Sequence, residues 1–92
     1  MNKIYKYHIP ETGKFKLALP KGAKILAVRV LDNEPYMWAK ISDGITAFEE
    51  RTFQYVGTGM SFDDNGGSWQ YIDSFITRGS EGQHYVLHLF ER

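Results

Sequence analysis

Lys14-Phe15-Lys16-Leu17-Ala18-Leu19-Pro20-Lys21-Gly22-Ala23-Lys24-Ile25-Leu26-Ala27-Val28-Arg29-Val30-Leu31 decides the fold class. Phe15, Leu17 and Leu19 alternate with Lys14, Lys16 and Ala18, the period-two pattern of a strand with one face in a core and the other in water. Pro20-Lys21-Gly22 turns the chain. Ala23 to Leu31 then runs on almost without interruption as apolar residues. Apolar side chains on both faces predict a central strand covered on both sides, with Arg29 as the outlier.

The same signals recur on either side of this stretch. Lys3 to Ile9 sets Tyr5, Tyr7 and Ile9 against Ile4, Lys6 and His8. Asp32-Asn33-Glu34-Pro35 reads as a turn, because Asx side chains bond the nearby backbone and Pro presets φ. Tyr36 to Ile41 returns as a strand, and Ser42-Asp43-Gly44 turns again. Ile45 to Arg51 stays open between two helical turns and a loop that feeds a strand, whereas Thr52 to Val56 is strand by propensity. Gln70 to Arg78 alternates, Gly79-Ser80-Glu81-Gly82 closes a hairpin, and Gln83 to Glu91 is the last strand. The expectation is one all-β domain over 1–92, about seven short, mostly antiparallel strands in a small sandwich or barrel. Both terminal strands are apolar and aromatic, so truncation at either end is expected to hurt folding.

Composition excludes several chemistries. The 92 residues contain no cysteine, which removes disulfides, thiolate zinc sites and cysteine nucleophiles. Ile25 to Val28 is far short of the roughly 20 apolar residues of a membrane helix, and Met1 to Lys6 carries no apolar signal core, so a soluble protein with no membrane partner is expected. Net charge is zero, yet residues 1–30 hold seven basic side chains against one acid, and residues 31–92 hold four against ten. Interleaving of strands from the two halves is expected to dissipate that asymmetry. His84 and His88 would share a strand face but stand roughly 13 Å apart, too far for one ion, so no metal is expected.

The run from Val56 to Trp69 breaks the rhythm of strands, and loops on a rigid scaffold are where binding residues concentrate. Asp63-Asp64-Asn65-Gly66 lacks the alternating ligands of a calcium loop and reads as a turn. Gly57-Thr58-Gly59 lacks the phosphate-loop pattern and reads as a bulge or tight turn that needs positive φ. No serine elbow occurs, and Glu49 and Glu50 would fall on opposite faces of a strand, so neither an enzyme nor a cofactor is expected. The candidate contacts are Thr58, Phe62, Asp63, Asp64, Asn65 and Trp69, with Lys14, Lys16 and Lys21 as an alternative anion-facing surface. Aromatic anchors beside polar groups are common hot spots.

Tyr7-His8-Ile9-Pro10, the run from Phe15 to Leu26, Pro35-Tyr36-Met37-Trp38-Ala39, Glu50-Arg51-Thr52-Phe53, Gly57-Thr58-Gly59 and His88-Leu89-Phe90-Glu91 together resemble a family of small proteins encoded by bacteriophages and prophages. The resemblance implies a viral protein acting in the host bacterial cytoplasm, and it carries no catalytic residue across. Met60 to Gln70 departs from the shared pattern and is the expected region of specialisation. The favoured expectation is a non-enzymatic interaction protein that binds a host component or a small anionic ligand to counter bacterial defence. Exposed strand edges add an expected homo-oligomer. The alternatives are a structural protein of the virion or its assembly and a single-stranded nucleic-acid-binding module. Overall neutrality disfavours nucleic acid as a partner.

Overall fold

Alternation becomes structure in seven strands among the described residues: β1 (Asn2–His8), β2 (Lys14–Pro20), β3 (Lys24–Leu31), β4 (Glu34–Ser42), β5 (Phe48–Gly57), β6 (Gln70–Arg78) and β7 (His84–Glu91). The computed structural model describes residues 1–10 and 13–92, the side chain of Asn65 excepted. The strands form two antiparallel sheets, ordered β1-β4-β3 and β2-β5-β7-β6, which do not close into a barrel. One apolar cluster joins them. Ile9, Val28, Met37, Ala39 and Ile41 come from the first sheet and its exit, and Phe15, Leu19, Phe53, Phe75 and Leu89 from the second. Phe15 stacks on Phe53 with centroids 5.2 Å apart, and Tyr55 bridges Phe15 and Phe75.

Two readings of the sequence change, and a third, left open, is decided. β3 is an edge strand, not a central one, and β4 holds the middle of its sheet. Periodicity reports which faces are apolar but is silent on lateral neighbours, and Leu26 and Leu31 are in fact exposed. A register shift between Ile25 and Ala27 bends β3 towards β6, which carries its own shift between Tyr71 and Asp73.

The second change concerns the turn before β4. Asp32 and Asn33 alone make it, with φ of 50° and 65°, so Glu34 and Pro35 already belong to β4. Two consecutive left-handed residues form the tight hairpin whose twist matches its strands, and Asx residues tolerate that conformation. Third, the open segment 45–51 divides into a connection at 45–47 and the start of β5. Glu49 and Glu50 take opposite faces. Glu49 accepts the Gly22 amide at 3.2 Å, and Glu50 pairs with Lys16 at 3.5 Å.

Candidate binding cleft

Strand alternation sends Phe53 and Tyr55 of β5 into the core, and Gln54 and Val56 to the opposite face of the four-stranded sheet. Register then builds a row across all four strands. Lys14 of β2 is the partner of Gln54, Gln54 of Phe90 on β7, and Phe90 of Tyr71 on β6. The adjoining row pairs Val56 with His88 and His88 with Ser74. A solvated sheet face would leave these groups wet. Here the segment 58–69 lies over the middle of the row, where Gln54 is only 6% exposed, as is Trp69 of the segment, while Lys14 and Tyr71 at the two ends stay exposed.

Particular contacts hold the covering segment down. Phe62 packs on Phe90 with centroids 5.0 Å apart, and Tyr71 meets Phe90 edge-on at 5.3 Å. Trp69 lies beneath two cations, Lys14 at 5.9 Å and Arg92 at 4.9 Å from the ring centroid. The hydroxyls of Thr58 and Tyr71 meet the two ring nitrogens of His88 at 2.8 and 2.9 Å. The Thr58 hydroxyl also lies 3.4 Å from the Val86 carbonyl, and the tautomer of His88 sets which ring nitrogen donates and which accepts. The segment reverses through Gly59 at φ 83° and through a 3₁₀ turn at Asn65–Gly67, where Gly66 and Gly67 have φ of 71° and 82°. Both turns require glycine.

Beyond the Lys14 end of β2, β5 runs on with only β7 beside it, and a cleft of about 460 Å³ opens there, lined by Lys14, Gln54, Met60, Ser61, Phe62 and Asp63 among others. Its wall holds an anomaly. Nε2 of Gln54 is buried and has no hydrogen-bond partner among the described residues. Buried polar groups in folded proteins are almost always paired, and an unpaired one costs about 1–3 kcal/mol.

The sequence candidates therefore separate. Phe62, Asp63 and Lys14 come together at the cleft. Thr58 pins the segment to His88, and Trp69 is its buried anchor and not an exposed contact. Asp64 accepts the Gly67 amide through its backbone carbonyl at 3.0 Å, within the 3₁₀ turn. The side chain of Asn65 lies outside the described residues. Lys14 and Lys16 share one face of β2, Lys16 paired with Glu50 at 3.5 Å, and Lys21 sits in the turn past the far end of that strand. Gln54 was not legible as a site residue. Its place between Phe53 and Tyr55 reveals the face it takes, but not that a distant segment covers that face.

No curated protein and no solved structure matches the chain. A domain family does match, over residues 1–92, and the chain belongs to it: DUF7352, a domain of unknown function.

Proposed function

We propose that this domain is a non-enzymatic binding module that takes a small anionic ligand with an apolar or aromatic portion into the cleft beside the 58–69 segment. The unpaired Gln54 amide nitrogen, buried behind the cleft wall, carries this reading, because a ligand oxygen that enters far enough to accept its N–H recovers the free energy lost by burying it. Lys14, the cross-strand partner of Gln54, supplies the cation. Phe62 and Met60 supply apolar contact, and Ser61 and Asp63 supply polar groups that fix orientation. The phage-encoded setting, action in the host cytoplasm against bacterial defence, and engagement of a host component belong to the same proposal. They rest on the resemblance in sequence.

Calorimetric titration with nucleoside mono- and diphosphates and with aromatic carboxylates tests the cleft. Saturable binding by one of these classes is expected, with at least tenfold loss in Lys14→Gln. Absence of heat across both classes at millimolar ligand would remove the reading.

Self-association is proposed through β1, the outer strand of its sheet, which exposes Ile4 and Tyr5. Light scattering that found only monomer at high concentration would refute it.

A further inference from the structure

The outward face of the three-stranded sheet lies apart from the cleft and has a chemistry of its own. Met37, Ala39 and Ile41 of β4 fill the core, so Tyr36, Trp38 and Lys40 point the other way. The register sets Lys6 beside Trp38 and His8 beside Tyr36 from β1. From β3 it sets Lys24 beside Lys40, Ala27 beside Trp38 and Arg29 beside Tyr36. Lys6, His8, Lys24, Arg29 and Lys40 are all exposed. Interleaving dissipates only part of the positive charge of the first thirty residues, through the pairs Lys3–Asp43, Lys16–Glu50 and Arg29–Asp73. Part of it collects here, around two aromatic rings on the middle strand.

Two details show that this is more than an ordinary solvated face. Lys24 and Lys40 are direct cross-strand partners, an arrangement that disfavours folding unless something anionic lies across it. Among the described residues no carboxylate pairs with Lys6, Lys24 or Lys40, whereas the two acids at this face meet its other basic groups, Glu34 with His8 at 3.3 Å and Asp73 with Arg29 at 2.8 Å. Lys6 instead lies 4.7 Å from the centroid of the Tyr36 ring. Trp38 and Tyr36 are two residues apart on one strand and so stand roughly 7 Å from each other, a pair of platforms in line with the lysines.

We propose that this face binds single-stranded nucleic acid, with bases stacked on Trp38 and Tyr36 and phosphates held by Lys6, Lys24 and Lys40. Open antiparallel sheets use aromatic side chains in this way, and every base offers a π-face, so the binding tolerates sequence. A duplex hides its bases from such platforms and is the poorer ligand. Neutrality of the whole chain does not oppose the proposal, because Lys6, Lys24 and Lys40 have no carboxylate partner among the described residues.

Fluorescence anisotropy of labelled dodecamers of thymidylate and uridylate, in about 50 mM salt, provides the test. Saturable binding is expected, with log K falling against log salt with a slope of about −2 for three phosphate contacts. The double variant Lys24→Gln/Lys40→Gln relieves a like-charge contact, so it folds, and it is expected to bind at least tenfold more weakly with a slope smaller by about 1.4. Quenching of tryptophan fluorescence by the oligomers should persist in Trp69→Phe and vanish in Trp38→Phe. The proposal is overturned if neither oligomer binds, if Arg78→Gln weakens binding as much as the lysine pair does, or if duplex or polyglutamate binds as tightly as the single strands.

Discussion

The carboxylate of Asp73 on β6 accepts the backbone N–H of Val28 on β3 at 3.0 Å, joining the edges of the two sheets where the barrel would otherwise have to close. The same oxygen accepts the Arg29 guanidinium at 2.8 Å, and the other carboxylate oxygen accepts the Ser74 amide at 2.8 Å. An unpaired strand edge is a liability, and here a side chain takes the place of a ladder partner.

Burial alone would raise the Asp73 carboxyl, but the Val28 and Ser74 amides and Arg29 outweigh it and hold the group below its ordinary value. A lowered folded-state pKa means that the unfolded chain binds the proton first. The stabilisation is therefore complete above the ordinary aspartate value of about 3.9 and is lost as pH falls from there through the folded-state value. Asp73→Asn should cost about 1–3 kcal/mol at neutral pH. It should also flatten the dependence of the urea midpoint on pH below about 4. A variant with the wild-type acid limb would show that Asp73 does not carry that dependence.

Arg51 forms the second tie. Its guanidinium forks onto Glu91 at the end of β7 and donates to the Ala23 carbonyl after the β2 turn, and both side chains are largely buried. The hydrogen bond with Glu91 raises the Arg51 pKa against the opposing effect of burial. Planar two-point contact is what lysine cannot reproduce. Arg51→Lys should lower stability by about 1–3 kcal/mol. Arg51→Met and Glu91→Leu should each cost more alone than together, because either single change strands a buried charge. A double-mutant cycle in urea with additive losses would contradict the pairing.

The sequence made the strands legible because alternation is local, and the single Asx hairpin at Asp32 and Asn33 shows how far turn chemistry reaches. What it could not convey was lateral order. Nothing in the residues of β3 distinguishes an edge strand from a central one, since the carboxylate that completes its edge lies forty-five residues away. The site divides in the same manner. Phe62 and Asp63 were legible because they sit in a run that abandons strand periodicity. Gln54 and Phe90 sit in ordinary strands and become part of a site only when the 58–69 segment covers them.

Trp69 governs that covering. Its ring is buried beneath Lys14 and Arg92, outside the main core, so it anchors the segment without supporting the two sheets. Trp69→Ala should leave the strand amides of β5 and β7 protected from hydrogen exchange while amides of 58–69 exchange at least tenfold faster. Global stability should fall by about 3–4 kcal/mol, the lower part of the range for deleting a large aromatic. Uniformly faster exchange across both sheets would place Trp69 in the main core instead.

Gln54 brings stability and binding into opposition. With no ligand present its buried amide nitrogen lacks a partner, so Gln54→Leu, which keeps the volume and removes the polar group, should stabilise the domain by about 1–2 kcal/mol. For a domain of this length that is a rise of roughly 4–12 °C in melting temperature. The same variant should lose at least tenfold in affinity for whatever small anion the wild type binds, because the leucine offers no N–H to a ligand oxygen. Sites that are costly to maintain in the empty state commonly show this trade between stability and function. Two measurements on one variant, thermal unfolding and calorimetric titration, therefore separate a binding residue from a packing residue. A leucine variant that is less stable than the wild type yet binds equally well would identify Gln54 as packing alone.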